Sequence, residues 1–395
     1  MLFWGSATRD KLTQKTFGLF HQKNPAFNIS SQYYGFDTYF TKLNALIANN
    51  NAPDLVQMDM RYVAQYVRKK QLLDMTELIY NQTIDLSDYD PQLLNSSKVN
   101  NTVYGIPFGG NYQSIFYDVE QVTKAGIGKP PANLNWDNYA AYMTELTKAL
   151  GGNVYGAMDG SSDITTFEIW LRQRGKDIYN LDGHVNFTQA DAGDWYSYWD
   201  NLRKAGGCPP YDIQHTLDIT GSPDNSSLIK QKTVFFITYS NLFEAFQKAT
   251  PHQLALAMLP VGGNGTVPGM YLKASQLISI YSTTKYPLTS AQYINFIINN
   301  VDAIKALSIE RGLPGSSKAL AVLNPLLTKT EQDIAAYMDL VSKSGNTRSK
   351  DVLDPPGAGQ IADLLRQVSF NISSGKVSVT AGAQAFYSQA KKIAG

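Results

Sequence analysis

An α/β architecture in two lobes is what this sequence predicts, on three observations. Strand-like and helix-like stretches alternate from Leu2 to Leu72, the pattern of a mostly parallel sheet with helices on its faces. The chain has 395 residues, long for one hydrophobic core and suited to two. Between Tyr104 and Asp118, two apolar, β-prone runs (106–108 and 115–117) flank Gly109, Gly110 and Asn111. Paired glycines free the backbone. The stretch therefore reads either as a hinge, where a strand leaves one sheet and enters another, or as an ordinary hairpin loop.

The elements follow in order. Residues 2–4 form a first strand, ended by Gly5 and Ser6. Residues 10–22 carry Leu12, Phe17 and Phe20 on a helix that Asn24-Pro25 breaks. Residues 29–34 are strand-like. Phe36, Phe40, Leu43 and Ile47 then make one stripe of an amphipathic helix, which ends at 49–53. Residues 54–58 are a buried strand, and Met60, Val63 and Val67 lie on a helix ending near Leu72.

Past the glycines, Pro130-Pro131 marks a loop. Asn135 caps a helix whose Trp136, Tyr139, Met143, Leu146 and Leu150 keep to one face. A helix at 165–174 is stopped by Gly175. Residues 178–187 read as a hairpin around Asp182-Gly183. A helix over 189–205 holds Ala192, Trp195, Trp199 and Leu202 in register, and Gly206 closes it. A strand at 233–238 precedes a helix bearing Leu242, Phe243 and Phe246. Strands at 254–259 and 277–281 are separated by a glycine-rich loop over 262–269. Helices fill the rest, with breaks at 312–315 and 355–357.

Composition narrows the function. With 34 basic and 33 acidic side chains the formal net charge is +1, which argues against nucleic acid or an anionic membrane surface as partner. Only 17% of residues are charged, yet there are 24 tyrosines. A polar, uncharged surface with many rings suits neutral hydroxylated ligands. The single Cys208 allows no intramolecular disulfide. No segment approaches the ~20 apolar residues of a membrane span. Met1-Leu-Phe-Trp-Gly carries no leader signature, so the reading is a cytosolic protein or one whose leader has been removed. A chain opening directly in a strand favours the second.

Catalytic and metal signatures are missing. His21, His184, His215 and His252 are scattered, none at metal-ligand spacing from Cys, Asp or Glu, and each reads as a surface or capped histidine. There is no nucleophile elbow, Walker loop or dinucleotide fingerprint, and Gly262-Gly263-Asn264-Gly265 lacks a phosphate loop's Lys and Ser/Thr. No cofactor is expected. Trp136, Trp195 and Trp199 lie on apolar helix stripes and read as core. Trp4, at the end of the first strand, is different. Ligands of open α/β folds bind beyond the carboxyl ends of strands, which points to the loops at 4–9, 35–37, 59–61, 111–112 and 239–241. These offer rings for the apolar face of a sugar and Asp/Arg groups for paired hydrogen bonds to hydroxyls.

An ordered set of motifs resembles the extracellular solute-binding proteins of ABC transporters, family 1, the group of maltose- and oligosaccharide-binding proteins. The set begins with Trp4-Gly5-Ser6 and Arg9, Tyr39-Phe40-x-x-Leu43 with Ile47-Ala48, and Pro53-Asp54-Leu55-Val56-x-x-Asp59. It continues with Leu72-Leu73-Asp74-Met75-Thr76, Tyr104-Gly105-Ile106-Pro107-Phe108 and Tyr117-Asp118. Gly126-Ile127, Pro131, Asn135-Trp136-Asp137 and Gly312-Leu313-Pro314-Gly315-Ser316 follow. Together they cover most of the chain. The resemblance implies a two-lobe periplasmic-binding-protein type II fold with hinge crossovers. It implies an N-lobe of 1–110 and 259–312, and a C-lobe of 111–258 and 313–395. By position in the family pattern, Trp4, Arg9, Phe36, Asp37, Asp59 and Arg61 face the ligand from the N-lobe. Asn111 and Tyr112 lie at the hinge, Trp170, Tyr239 and Ser240 come from the C-lobe, and Tyr271 comes from the returning N-lobe segment.

The function so implied is a non-enzymatic, monomeric receptor that captures an oligosaccharide between closing lobes and hands it to the transmembrane permease subunits of an ABC importer. It would be an extracytoplasmic protein, periplasmic or a cell-surface lipoprotein. Arg9 and Arg61 leave room for a uronate-type sugar. Two other readings stand beside it. The same fold can bind a non-sugar ligand, a metal ion through tyrosines such as Tyr33 and Tyr34 or a polyamine through carboxylates. A carbohydrate-active hydrolase would use carboxylates such as Asp59 and Glu244.

Overall fold

The computed structural model describes residues 1–395 apart from 96, 132, 133, 219–221, 262–265, 351 and 353, and for Asp37 the backbone only. Among the described residues eleven strands run in chain order. They are β1 (Leu2–Trp4), β2 (Gln32–Tyr34), β3 (Leu55–Met58), β4 (Lys98–Val99), β5 (Thr102–Val103) and β6 (Ile106–Asn111). Then come β7 (Gln113–Asp118), β8 (Tyr155–Ala157), β9 (Thr233–Tyr239), β10 (Leu254–Ala257) and β11 (Lys273–Ile280). The chain divides into two compact units, Met1–Asn111 with Leu272–Thr328, and Tyr112–Tyr271 with Lys329–Gly395.

The first unit is built on a sheet of order β2-β1-β3-β11-β6. β1 pairs in parallel with β2 and β3, while β11 runs antiparallel to both β3 and β6. The carboxyl ends of β1, β2, β3 and β6 and the amino end of β11 therefore share one edge. Apolar residues of the helix Ala7–Lys23 meet those of the helix Pro287–Asn299: Phe20 packs edge-on to Tyr293 and Phe296, with ring centroids 5.4 Å apart in both pairs. Tyr39, fully buried on the helix Phe36–Ala48, donates its hydroxyl to Gln57 O at 2.7 Å, tying that helix to the sheet.

The second unit carries a sheet of order β10-β7-β9-β8, with β7 antiparallel to β10 and β9, and β8 parallel to β9. Its core is unusually aromatic. Trp136 packs against Trp170, Trp195, Tyr198 and Trp199 at centroid distances of 5.0–6.4 Å. Each such pair contributes roughly 0.5–1.5 kcal/mol beyond its area. Cys208 is 1% exposed, and burial pushes its thiol well above the ordinary range.

Several sequence expectations change here. Both sheets are mixed rather than mostly parallel, because β11 in one and β7 in the other run against their neighbours. The hairpin expected at 178–187 is present in short form: Asn186 N donates to Ile178 O (2.7 Å) and Asn180 N to His184 O (2.9 Å) about the bridge between Tyr179 and Val185, and the Asn180 side chain accepts from the Asp182 and His184 amides at the turn. Gly109 and Gly110 lie inside β6, not in a soft joint. Gly110 N donates to Leu313 O at 2.8 Å, and a Cβ on Gly109 would stand 2.6 Å from Gly312 C. These glycines permit close backbone approach rather than supplying freedom.

The chain passes from unit to unit at Asn111/Tyr112, Tyr271/Leu272 and Thr328/Lys329, the first one residue and the last two well beyond the expected 110/111, 258/259 and 312/313. Residues 258–271 stay with the second unit through Val261 N to Leu134 O (2.7 Å) and Met270 N to Asn346 O (3.1 Å). Residues 313–328 stay with the first through Asp90 N to Gly315 O (2.8 Å) and Ser316 Oγ to Asp88 (2.7 Å). The loop expected at 262–269 lies partly outside the described residues, its Gly262-Gly263-Asn264-Gly265 wholly so.

Candidate functional site

At the shared strand edge of the first unit, three short loops do what open α/β sheets do and carry chemistry beyond the strand ends. Gly5 follows β1, and its amide donates to Tyr34 O at 3.0 Å. A Cβ there would meet Arg9 Cδ at 2.4 Å, so only glycine lets the Arg9 side chain fold back over the turn. Arg9 then donates from Nη1 to Trp4 O (2.9 Å) and from Nε to both oxygens of Glu310 (2.9 Å each). Trp4 is 8% exposed and packs edge-on to Phe36 (5.3 Å) and Tyr39 (5.2 Å). Phe36, the first residue of its helix, leaves 39% of its surface open, and the Arg61 guanidinium lies over its ring at 5.4 Å.

Asp59 caps the helix Met60–Arg68 by accepting from Arg61 N at 3.0 Å. The same oxygen accepts from Arg61 Nε at 2.9 Å, and Lys273, at the start of β11, stands 3.6 Å from the other. Burial works against the charge of Asp59, but Arg61 and Lys273 outweigh it and hold the carboxyl well below the usual carboxylate range. Of the residues expected in this lobe, Trp4, Arg9, Phe36, Asp59 and Arg61 thus fall along one edge. Asn111 ends β6 at that edge and is 4% exposed. The Asp37 side chain lies outside the described residues.

The second unit has its own strand edge, where the amino end of β7 meets the carboxyl ends of β8, β9 and β10. Gln113 and Tyr239 are register partners across β7 and β9. Tyr239 Oη shares a 2.7 Å hydrogen bond with Thr165, and Gln113 Nε2 donates to Asp163 (3.2 Å) and Thr166 (3.4 Å). Tyr112 is 4% exposed, and its amide donates to Ser240 Oγ at 3.3 Å. Ser240 is fully buried, and its amide donates back to Tyr112 O. Its place is a backbone clasp between strands.

Trp170 and Tyr271 are the expected residues that packing absorbs. Trp170 is 4% exposed, enclosed by Trp136 (5.0 Å), Tyr198 (5.3 Å) and Trp195 (5.6 Å), with Arg174 stacked on it at 3.4 Å. Tyr271 belongs to the second unit rather than to the returning segment of the first. Its hydroxyl donates to Glu168 at 2.6 Å, and Lys350 bridges Glu168 (2.8 Å) and Asp354 (2.7 Å). Fully buried Arg172 ties this network to the backbone through Gly269 O (2.8 Å), Arg348 O (2.7 Å) and Ser349 O (2.9 Å), and pairs with Asp177.

Sequence reasoning passed over Asp163, Thr165, Gln113 and Lys273, which no spacing rule singles out. It also set aside His252, which β10–β7 pairing brings beside Asp118. The signature spacing of a metal site is missing along the chain, yet in space His252 stands beside Asp118.

Residues 15–335 match the family model described as bacterial extracellular solute-binding protein. The chain belongs to that family. An extracellular solute-binding protein family 1 member from Alicyclobacillus acidocaldarius is 30% identical to this solute-binding protein. Its structure matches over all of this chain and 97% of that one, with a TM-score of 0.78. A periplasmic oligogalacturonide binding protein from Yersinia enterocolitica, solved with saturated digalacturonic acid, is 20% identical. It matches over 100% of this chain and 98% of its own, at a TM-score of 0.84. The lactose-binding protein of Rhizobium radiobacter is 29% identical over 107 residues, 27% of this chain and 25% of that one. The two-unit α/β architecture is that of periplasmic solute-binding proteins. Among the described residues no helix is long and apolar enough to cross a membrane.

Proposed function

We propose that this solute-binding protein is the extracytoplasmic receptor of a carbohydrate ABC importer, binding an oligosaccharide without chemical turnover and delivering it to a membrane permease. The observation that carries the reading is the Phe36 edge of the first unit. An exposed ring, buttressed edge-on by Trp4, sits under the Arg61 guanidinium and beside the ionised Asp59. A ring can cover the apolar face of a pyranose, and a positioned carboxylate and guanidinium can bond its hydroxyls. Tyr239, with Asn111 and Tyr112, completes the set of ligand residues in this proposal. The sugar ligands of the Yersinia and Rhizobium relatives support the same class.

Titration calorimetry with maltotriose, lactose and digalacturonic acid tests the proposal. Saturable binding of one of them is the expected result, and the uronate among them reads the ligand's charge. Heat from none, with no change in melting temperature, overturns the carbohydrate reading. The proposal includes closing of the two units on the ligand, which a fall in radius of gyration on titration would report.

A further inference from the structure

We propose that Asp118, Glu120 and His252 form a binding site for a divalent transition-metal ion, zinc by its chemistry, on the second unit at the sheet edge away from Tyr239. One donor atom from each of the three lies within 4.8 Å of the other two. The cluster is assembled by the fold and not by local sequence. Asp118 ends β7, Glu120 is in the first turn of the helix Val119–Ala125, and His252 lies just ahead of β10. The pairing of Leu254 with Asp118 holds the two segments in register.

The donors are held from behind, as metal ligands are. Asp118 Oδ1 accepts from Gln121 N (3.0 Å), and Oδ2 from Gln231 Nε2 (3.2 Å) and His252 Nδ1 (2.6 Å). Glu120 Oε1 accepts from Gln253 N at 2.9 Å, which leaves its other oxygen for a cation. Asp118 is 1% exposed, while the His252 side chain is 33% exposed and Glu120 lies at the surface, so the cluster is anchored at one end and open at the other.

The support behind Asp118 extends one residue further. Gln121 Nε2 donates to Gln231 Oε1 (3.0 Å), so this amide belongs to the chain of bonds leading to Asp118. Gln121 Oε1 is buried and has no hydrogen-bond partner among the described residues. One imidazole nitrogen with two carboxylate oxygens is a set that zinc accepts at about 2.0–2.2 Å, water filling the remaining position. The nitrogen disfavours calcium, which takes oxygens only. Binding requires the imidazole to exchange its hydrogen bond with Asp118 for the cation, with any ring proton on the donor nitrogen released to solvent. The ion would clip the turn before β10 to the β7–helix corner.

The test uses the full chain without an affinity tag, stripped with EDTA and titrated with zinc chloride by calorimetry, with calcium chloride in a parallel arm. One equivalent of zinc is expected to bind, and to raise the melting temperature. Glu120→Gln, at an exposed position, and His252→Gln are each expected to weaken that binding tenfold or more while the metal-free melting temperature stays close to the parent's. No saturable zinc binding overturns the proposal. So does one-equivalent binding of unchanged affinity in both variants, or calcium binding as tightly as zinc.

Discussion

Asp59 does two jobs with one carboxylate. It caps a helix and it neutralises Arg61 and Lys273 at the strand edge. Its folded-state pKa is depressed, so its contribution to stability is present above the unfolded carboxylate range and is lost as pH falls through and below that range. Acid unfolding followed by circular dichroism should therefore begin nearer neutrality in Asp59→Ala than in the parent. At pH 7 the substitution should cost on the order of 2–3 kcal/mol, from a lost helix cap and a lost ion pair that solvent partly screens. Phe36→Ala should behave in the opposite manner. With 39% of the residue open, stability should change little, while affinity for the bound glycan should fall about tenfold or more if the ring carries the stacking. A Phe36→Ala protein that binds the glycan with parental affinity would remove this residue from the site. Trp170→Phe should lower the melting temperature, because the indole is enclosed by three other rings.

At the scale of elements, β6 is the segment whose sequence and structure disagree most usefully. Two adjacent glycines announce freedom, but here β6 is clasped on one side by β11 and on the other by the bridge to Leu313. Gly109→Ala places a methyl group against the Gly312 backbone, where nothing flexible can yield. We expect a loss of about 1–3 kcal/mol, read as a lowered urea midpoint, whereas a hinge glycine of positive φ would instead show a Pro- or Ala-sensitive change in binding kinetics. The elements of the first seventy or so residues were legible because each is local: Phe36, Phe40 and Leu43 report a helix by spacing alone. The pairing of Gln113 with Asp163 and Thr166, and of His252 with Asp118, was not legible. Those partners lie 50 or more positions apart: sheet register brings His252 to Asp118, and the start of the helix Ile164–Arg172 brings Asp163 and Thr166 to Gln113. The enclosure of Trp170 was not legible for the same reason. Its ring contacts, Trp136 and Trp195, arrive from helices distant in sequence.

For the whole molecule, the binding of ligand to the folded state alone should raise stability by about 2.7 kcal/mol at a hundredfold excess over Kd. A glycan that gives calorimetric heat should thus also raise the midpoint in a thermal scan, and the two measurements should rank the panel alike. The near-balance of 34 basic and 33 acidic side chains predicts weak dependence of ligand association on salt, unlike a steered encounter. A strong salt dependence would instead speak for a charged sugar.

The lone, enclosed Cys208 has a practical corollary. Thiol-directed dyes should leave the native protein unmarked, so a cysteine placed at an open position such as Tyr80 would accept a single fluorophore with no background. The protein is in that respect ready to become a reagentless optical sensor for whatever solute it binds.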